Sequence, residues 1–475
     1  MSRFLTPKTS YAKIRVAVMQ FKGSEICEKI SLEQKIKRRV SFYAMGQPNV
    51  KNNQNKPSKL WDVIVIGAGA SGMMAAITAA RQGRRVLVLE HMDKPGKKLL
   101  ATGNGRCNYT NENMSLEYYH GNKELVKNIM PYFQNYDTVN FFMKIGIYPR
   151  IKNGYYYPFS NQALSVVEAL TLELDRLNVQ LVTSCEVNEI KPDAKGFLIR
   201  TSTGNYRGRK VIVATGLRAS EKLGSDGSMF PVLKELGHRF VPILPALCGF
   251  EAKGMDFKKV SGVRAQVQLA LVVDGCHSLH GDDGELQLTD YGISGIPVFQ
   301  ISSKAARALY EKKKAAVEID FMTYFDRGMM RDELTRRFAR DKGYRTLAQS
   351  LCGLLHSKLI PEILKKAGLN PNMDAGALAD SGIQRLAELI KCYPVELTKV
   401  RDFSTAQVCS GGIRSEEIDT QTLESRLVPG LYFAGEILDV DGICGGYNLQ
   451  WAWSSGYVAG MLGKPVKCLS YQHHD

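Results

Sequence analysis

The sequence predicts an α/β fold in which a doubly wound, mostly parallel sheet carries an inserted second unit. Apolar strands run into glycine turns near Asp62–Ile66, Lys210–Gly216 and Gly430–Glu436, as buried parallel strands do. Between residues 241 and 404 the pattern changes to alternating strands and then to charged amphipathic helices. We therefore expect a sheet domain in two parts, with a β unit and a small helical unit between them.

The first strand opens a Gly-x-Gly-x-x-Gly turn, and a small-residue helix and a second strand ending in Glu90 follow. Such a strand–turn–helix–strand unit binds a dinucleotide, because the helix N–H groups face the diphosphate and the closing acid holds a ribose hydroxyl. The predicted contacts are Gly67, Gly69, Ala70, Ser71, Gly72 and Glu90.

Residues 60–80 are nearly uncharged and about long enough to cross a membrane. Asp62 and three clustered glycines argue against a span, because a dinucleotide turn needs every one of those glycines. We expect no membrane insertion and a cytoplasmic protein.

The net charge of +16 is concentrated at the amino end, where residues 1–60 carry +10 and the remainder only +6. Such an extension suits a basic arm for nucleic acid or membranes, a transit peptide, or a solvated, disordered tail, and charge runs favour the tail. The expected domains are residues 1–60 (basic extension), 61–240 and 405–475 (the two parts of the sheet domain) and 241–404 (the insert).

Ten cysteines are spread along the chain without CxxC pairs or paired Cys/His spacing. This pattern favours neither a disulfide framework nor a metal site, and it fits a reducing compartment.

A glycine-rich loop follows Glu90 and reads KPGKKLLATGNGRCN from Lys94. Glycines flanked by lysines and an arginine suit a loop laid along a phosphate-bearing ligand. The predicted contacts here are Lys97, Lys98, Gly103, Asn104, Gly105, Arg106, Cys107 and Asn108. Further contacts are predicted where later strands begin or end, at Val187, Thr215 and Gly216.

The elements between the loop and the insert are predicted from periodicity and turn signals. Helices are expected over residues 123–145 and 162–177, the second capped near Ser160-Asn161. A hairpin is expected around Thr203-Gly204, followed by a separate buried strand from Lys210.

The carboxyl-terminal strand ends in a Gly-acid pair and leads through a glycine-rich turn into a helix over residues 447–462. The acid suits a ribityl hydroxyl, and a helix N-terminus suits the flavin ring edge that becomes negative on reduction. FAD therefore fits better than NAD. The predicted contacts are Gly435, Glu436, Asp439, Gly446, Tyr447, Asn448 and Leu449.

Seven segments give the chain a family resemblance: GAGASG (67–72), GKKLLATGNGRCNYTN (96–111), YYYPFSNQA (155–163), VIVATG (211–216), GELQLTDYGISG (284–295), AQVCSGGI (406–413) and LYFAGEILDVDGICGGYNLQWAWSSGYVAG (431–460). On these segments, which lie within residues 61–465, it resembles the HI0933-like family of NAD(P)/FAD-dependent oxidoreductases. That family includes bile-acid 3-dehydro-Δ4,6-reductase-like and aminoacetone-oxidase-like members. The resemblance implies a Rossmann-like FAD-binding domain of the glutathione-reductase type with an inserted β-barrel-like and helical lobe.

The chain departs from the family pattern at two places. Leu217 stands where members commonly have a second glycine, and Cys444 stands where they have threonine. The second change places a thiol near the expected flavin ring. Cys107 has no Cys-x4-Cys partner, so disulfide-reductase chemistry is not expected.

Three hypotheses for the function follow. The first is an FAD-dependent reductase of an unsaturated ketone, steroid- or bile-acid-like, fed by NAD(P)H docking directly at the flavin, since no second Gly-x-Gly-x-x-Gly follows a strand. Tyr291 and Tyr447 are the candidate proton donors, although a structural role is favoured for Tyr447. The second is an FAD-dependent oxidase of a small amine or hydroxyl substrate. The third is a flavin-dependent RNA-modifying protein, which the missing basic, aromatic-interleaved stripe after residue 60 disfavours. The oligomeric state stays open.

Overall fold

The computed structural model describes residues 60–280 and 283–467. Its strands are β1 (Leu60–Ile66), β2 (Val86–Leu89), β3 (Thr110–Asn111), β4 (Tyr119–Gly121), β5 (Pro149–Lys152), β6 (Tyr155–Pro158), β7 (Gln180–Val182), β8 (Val187–Asp193), β9 (Gly196–Thr201), β10 (Gly204–Val213), β11 (Phe240–Ala246), β12 (Phe250–Lys253), β13 (Arg264–Val273), β14 (Cys276–His280), β15 (Gly284–Leu288), β16 (Gly292–Gly295), β17 (Ala315–Asp320), β18 (Tyr393–Val400), β19 (Val408–Ile413), β20 (Leu431–Phe433) and β21 (Val440–Gly442).

Its α-helices are α1 (Ala70–Arg81), α2 (Lys97–Ala101), α3 (Lys123–Ile129), α4 (Asn135–Lys144), α5 (Ala163–Arg176), α6 (Met229–Glu235), α7 (Phe257–Val260), α8 (Ile296–Tyr310), α9 (Arg327–Asp341), α10 (Leu347–Ser350), α11 (Leu359–Lys366), α12 (Asp380–Lys391) and α13 (Tyr447–Met461). Short 3₁₀ turns occur at Thr102–Gly105, Leu116–Tyr118, Met130–Tyr132, Glu221–Leu223, Ala375–Ala377, Ser415–Glu417 and Gly435–Ile437.

The first sheet is of the Rossmann type, with the strand order β7-β2-β1-β10-β9-β8 and with β20 beside β10. Strands β7, β2, β1, β10 and β20 run parallel, and β9 and β8 complete the sheet antiparallel. The central strands are buried on both faces, which explains why they are uniformly apolar. Helix α1 connects β1 to β2, and the carboxyl ends of the parallel strands lie at the same edge of the sheet.

The second sheet closes into a barrel. Its strands follow the order β14-β13-β15-β16-β12-β18-β17, and β17 also pairs with β13. Closure is possible because β13 is long: residues 264–267 pair with β15 on one edge, while residues 268–273 pair with β17 on the other. Helices α9–α12 pack beside this barrel around an apolar core that is separate from the core of the first sheet.

The strand pair β11–β19 carries the chain into and out of the barrel region. The core of the Rossmann sheet draws its buried residues from 61–248 and 406–462, and the barrel core draws them from 250–397. The predicted fold class, a Rossmann-like domain with an inserted barrel-like and helical lobe, is confirmed. The boundaries at 241 and 404 stay a prediction.

Three local predictions were wrong. The helix over 123–145 is interrupted, because Pro131 lies in a 3₁₀ turn and a Gln134–Asp137 capping box starts a new helix at Asn135. Asn161 does not cap α5, since its backbone is left-handed with φ of 57° and the helix begins at Ala163. The hairpin strand and the strand from Lys210 form one continuous strand, β10, which pairs with β9 in its first half and with β20 in its second.

Within residues 60–280 and 283–467, no helix has the length and apolarity that crossing a bilayer requires. The weakly charged segment 60–80 forms β1 and most of α1 instead. Residues 1–59 of the predicted basic extension lie outside the described residues.

Helices α1 and α13 approach each other through two glycines. A Cβ added at Gly456 would lie 2.5 Å from the Ser71 carbonyl oxygen, and one at Gly460 would lie 2.6 Å from the Ala75 carbonyl oxygen. Real Cβ atoms do not come this close to backbone oxygen, so the two helices touch backbone to backbone along this line.

Replacing Gly460 by leucine should destabilise the Rossmann domain by about 1–3 kcal/mol, because the added side chain must push α13 away from α1. Urea unfolding followed by tryptophan fluorescence measures this domain, since Trp61, Trp451 and Trp453 all lie in its core. Gly463→Ala is the matched control, because a Cβ there meets no atom within 4 Å. Equal unfolding midpoints for both variants would contradict the close packing.

Candidate active site

A cavity of about 850 Å³ opens at the carboxyl ends of the Rossmann strands and extends to the barrel. In open α/β sheets this edge is where ligands bind, and the volume is typical of a cofactor or substrate pocket. The predicted site residues on its wall are Gly67, Gly69, Ala70, Ser71, Glu90, Lys97, Lys98, Gly103, Asn104, Arg106, Asn108, Val187, Thr215, Gly216, Glu436, Gly446, Asn448 and Leu449.

The three glycines of the first turn serve different purposes. Gly67 has φ of 97°, and a Cβ on Gly72 would lie 1.9 Å from the Gly67 carbonyl oxygen, so local backbone geometry accounts for both. Gly69 has φ of −80° and ψ of −169°, which any residue adopts, and a Cβ there would meet no protein atom within 4 Å. The space beside Gly69 is therefore a cradle that opens into the cavity.

Helix α1 presents an uncapped N-terminus to this cradle. No side chain caps the helix at Gly69, and its first turn contains no acidic residue. The first N–H groups of a helix have no partner within it, and the helix dipole adds positive potential there. This end of the cavity is suited to an anion such as a diphosphate.

Glu90 is held firmly at the end of β2. Its carboxylate oxygens accept hydrogen bonds from the Ala68 N–H at 2.7 Å and the Met92 N–H at 2.8 Å. His91, which also lines the cavity, lies 3.3 Å from Glu90 and 3.7 Å from Asp226. The hydrogen bond with Glu90 raises the pKa of His91, so the two side chains form a polar corner that can hold ribose hydroxyls.

Lysines from the glycine-rich loop are paired with acids near the same wall. The Lys98 ammonium donates to Glu436 Oε2 at 2.7 Å, and the Cys409 N–H donates to Glu436 Oε1 at 2.6 Å. Lys97 is paired with Asp93. The Lys98–Glu436 salt bridge joins the glycine-rich loop that follows β2 to the strand–Gly–acid turn that follows β20. Segments that are far apart in the sequence therefore build one wall.

The second uncapped helix start belongs to α13. Its N-cap, Gly446, has φ of 95°, and a Cβ there would lie 2.8 Å from the Thr110 carbonyl oxygen. Asn448 ties the preceding turn, because it accepts from the Gly442 N–H at 2.8 Å and donates to the Gly442 carbonyl at 2.7 Å. A second positive helix end is thus fixed at the cavity.

Three polar side-chain atoms on the wall are buried and have no hydrogen-bond partner within the described part of the chain: Asn108 Oδ1, Thr215 Oγ1 and Ser225 Oγ. Buried polar atoms normally have partners. Together with the Gly69 cradle and the two helix starts, these atoms fit a polar dinucleotide such as FAD, which would supply the missing partners.

Comparisons with known proteins show which family has this sequence. The family model described as HI0933-like protein Rossmann domain matches residues 61–462. The chain belongs to the HI0933-like family. The 3-dehydro-bile acid Δ(4,6)-reductase of Clostridium scindens is 43% identical over 399 residues, which cover 83% of this chain and 97% of that protein. The ribosomal RNA dihydrouridine synthase of Escherichia coli K12 is 30% identical over 401 residues, 84% of this chain and 96% of that protein.

Among solved structures, 3-ketosteroid-Δ4-(5α)-dehydrogenase from Rhodococcus jostii RHA1 aligns with a TM-score of 0.43 and 16% identity, over 87% of this chain and 99% of that one. No functional conclusion follows from a likeness at this level. The family match and the reductase relative confirm the expected family and the expected enzyme class, an oxidoreductase of the HI0933-like family.

Several predicted site residues lie off the cavity wall of this HI0933-like protein: Gly72, Gly105, Cys107, Gly435, Asp439, Tyr291 and Tyr447. Gly72 and Gly435 serve packing, since a Cβ on Gly435 would lie 2.4 Å from Ser71 Oγ. Cys107 is fully buried, and burial raises the pKa of its thiol to about 12.

The structure does not bring the two candidate catalytic tyrosines into the cavity. The Tyr447 ring packs against Tyr118 at 5.0 Å and Tyr119 at 5.9 Å between ring centroids. The Arg401 guanidinium carbon lies over the Tyr291 ring, 4.3 Å from the centroid of that ring. Both rings pack against other side chains off the cavity wall, and the roles expected for them stay predictions.

Other cavity residues were missed by sequence reasoning. His91 follows the predicted Glu90 directly, so its adjacency was an available signal. Ser225, Arg264 of β13 and Phe299 of α8 carry no such signal, because their positions depend on how distant elements pack. Cys444, a noted departure, does line the cavity, and its N–H donates to Gln300 Oε1 at 2.8 Å.

Two ionisable groups, the buried Asp441 and the half-buried His120, are cross-strand partners on β21 and β4. Burial raises the pKa of Asp441 to about 7, although the hydroxyls of Ser303 and Ser410 lower it in part. Burial lowers the pKa of His120 to about 4. Val440, the neighbour of Asp441, lines the cavity, so these groups influence the electrostatics just behind the wall.

Replacing Gly69 by valine should weaken FAD binding at least about tenfold, because the side chain would fill the diphosphate cradle. The thermal unfolding temperature of the FAD-free protein should stay unchanged, since the new atoms meet no protein atom within 4 Å of the Cβ. FAD titration monitored by flavin fluorescence gives the affinity. Unchanged affinity would contradict the cradle, and a lower unfolding temperature would show that the protein itself needs the glycine.

Asp441→Asn should change how stability depends on pH. Because the folded-state pKa lies above the ordinary value of 3.8, the wild-type carboxyl costs the folded state progressively more as the pH rises from about 4 to about 7. The difference in unfolding free energy, variant minus wild type, should therefore be more positive at pH 8 than at pH 5 by an amount on the order of 2 kcal/mol. His120 contributes oppositely in both proteins, so its effect cancels from the difference. Tryptophan-monitored urea unfolding at both pH values measures it, and a pH-independent difference would contradict the raised pKa.

Proposed function

We propose that this chain is an NAD(P)H-fed, FAD-dependent reductase of a carbon–carbon double bond conjugated to a carbonyl group in a small, steroid-like molecule. The observation that carries the proposal is a single cavity that joins a dinucleotide cradle to an apolar wall. A cofactor and an apolar substrate can therefore meet without leaving the protein.

The residues present assign the parts of FAD to places on the wall. The diphosphate would lie at the start of α1 beside Gly69, and the ribose of the adenosine half would lie at Glu90. The flavin ring would lie near the start of α13 at Gly446, where positive potential favours the charge that reduction creates. Bound FAD supplies the hydride chemistry, and the protein contributes binding, orientation and exclusion of water.

A small apolar cluster forms part of the cavity wall. Leu247 and Val408 are buried in this cluster, and Phe299 and Cys444 pack against it. All four line the cavity, together with the exposed Ile296. Such a surface suits the fused apolar rings of a steroid, because apolar pockets with few polar groups bind apolar ligands.

The thiol of Cys444 contributes packing rather than nucleophilic chemistry. Burial raises its pKa to about 12, so it stays protonated at neutral pH and lacks the reactive thiolate. Because Tyr291 and Tyr447 lie off the wall, the proposal gives neither of them a proton-donating role.

The relatives support a common reaction type. The 43% identical relative is named as a Δ(4,6)-reductase of 3-dehydro-bile acids. In such a substrate the double bonds are conjugated to a ketone, so hydride addition to the far carbon places the charge on the carbonyl oxygen, and a proton on the nearer carbon completes the reduction.

A second candidate function is reduction of uridine in ribosomal RNA. Relatives that are 30% and 28% identical are named ribosomal RNA dihydrouridine synthases, and the match covers 84% of this chain in each case. The 5,6 double bond of uracil is also conjugated to a carbonyl, so the same hydride chemistry applies. The two candidates differ in the substrate, not in the reaction class.

Anaerobic mixing of the FAD-loaded protein with NADH or NADPH should bleach the flavin absorbance band. Adding a steroid dienone to the reduced protein should restore the band and form a product that has gained two hydrogen atoms and has one double bond fewer. Mass spectrometry shows the gain of two hydrogens, and NMR spectroscopy of the product identifies which bond was reduced. Gly69→Val at matched protein concentration is the control for reaction with free flavin.

Restoration of the band by uridine-containing ribosomal RNA but not by the steroid would transfer the proposal to the second candidate. No bleaching by either nucleotide would contradict an NAD(P)H-fed reductase. If dithionite-reduced protein were then rapidly reoxidised by oxygen with release of hydrogen peroxide, the result would indicate an oxidase.

A further inference from the structure

The hairpin of β5 and β6 stands at the edge of the cavity, where Tyr155 and Tyr157 form part of the wall. Its register pairs Arg150 with Tyr157 and Lys152 with Tyr155. Directly opposed residues of an antiparallel pair project from the same face of the hairpin. These four side chains therefore form one face, here called the tyrosine–cation face.

The same face continues beyond the strand ends. The Phe159 N–H donates to the Tyr148 carbonyl at 2.8 Å, which extends the pairing by one step, and strand alternation puts both rings on the side of Arg150. Tyr148 is 67% exposed and Phe159 is 70% exposed. Aromatic rings and cations thus alternate from the outer end of the hairpin to the cavity wall.

The charged side chains of this face are all positive. Residues 148–159 contain no Asp or Glu, and Arg150 and Lys152 are exposed and make no ion pair with any described residue. The Arg106 guanidinium lies 5.6 Å from the centroid of the Tyr157 ring and adds a third cation. The nearby acid is Glu112, whose Oε2 lies 3.9 Å from a Cβ built on Gly154 at the turn.

The barrel side of the cavity differs in this respect. There Arg264 donates to Glu285 at 3.0 Å across neighbouring strands, so its charge is already balanced. A phosphate-bearing ligand that enters the cavity from solvent therefore meets its complementary charge on the hairpin side.

We propose that the tyrosine–cation face is the docking site for the dinucleotide electron donor, NADH or NADPH, which rests on the proposed NAD(P)H-fed reduction. Arg150 and Lys152 bind its phosphates, and the tyrosine rings stack with its bases, as aromatic side chains do with nucleotide bases. The nicotinamide end then enters the cavity past Tyr155 and Tyr157. The chain has no second Gly-x-Gly-x-x-Gly turn after a strand, and this face supplies the missing phosphate contacts.

The test is anaerobic stopped-flow reduction of the FAD-loaded protein over a range of NADPH and NADH concentrations. The variant R150E/K152E should raise the apparent dissociation constant at least about tenfold and leave the limiting rate of bleaching within about twofold. The conservative variant R150K/K152R should behave as wild type. The charge-matched control K365E/K366E, on exposed residues off the cavity wall, should also leave the constant unchanged.

A second measurement separates binding from turnover. Equilibrium dialysis of the oxidised nucleotide NADP⁺ against the FAD-loaded proteins should show the same loss for R150E/K152E. Flavin content and reduction by dithionite should equal those of wild type, which shows that the fold and the flavin site are intact.

Equal constants in wild type and R150E/K152E, with normal bleaching in both, would overturn the docking site while leaving the reductase standing. A wild type that neither bleaches nor binds NADP⁺ would instead refute the proposed function itself. Loss of poly(U) RNA binding by R150E/K152E, with unchanged NADPH kinetics, would also overturn the inference, because the face would then serve RNA.

Discussion

The backbone contact between α1 and α13 is the constraint on which the rest of the site depends. Gly456 and Gly460 let the last helix lie directly on the first, and the Gly435 N–H donates to Ser455 Oγ at 2.9 Å to fix the strand before it. Residues nearly 400 positions apart thereby open on one cavity. Any side chain on this line would separate the two helix N-termini that we propose to hold the two ends of FAD.

The two apolar cores explain why the cavity has two kinds of wall. The Rossmann core supplies helix starts, glycines and paired lysines, which suit phosphates and ribose. Helix α8 and the ends of the β11–β19 pair supply Phe299, Leu247 and Val408, which suit an apolar molecule. Because both walls face one space, the proposed flavin and unsaturated ketone would share one cavity. Asp441 is buried and His120 half-buried beside Val440 of the wall, and burial lowers the pKa of His120.

Sequence reasoning predicted the parts of the fold in which one residue type has one physical purpose. Gly67 and Gly72 predict the dinucleotide turn because its strained or crowded backbone admits only glycine. Glu90 supports this prediction because an acid is expected at that distance after the turn. It did not predict the continuous β10, which depends on pairing with distant strands. It also missed the break at Pro131, although the proline is a local signal. The barrel-like shape of the insert was expected only from the family resemblance. Tyr291 was chosen for its chemistry alone, and its place beside Arg401 depends on tertiary packing that no local pattern records. The tyrosine–cation face was likewise hidden, because its residues alternate along two strands and become one surface only in register.

A crystal structure of the protein with bound FAD tests the central claim most directly. That claim is that the starts of α1 and α13 belong to one flavin site. We predict the diphosphate within hydrogen-bonding distance of the N–H groups of Ala70 and Ser71, and the edge of the flavin ring at the start of α13 beside Gly446. Electron density for the flavin ring elsewhere in the molecule, or crystals that take up no FAD, would contradict the account.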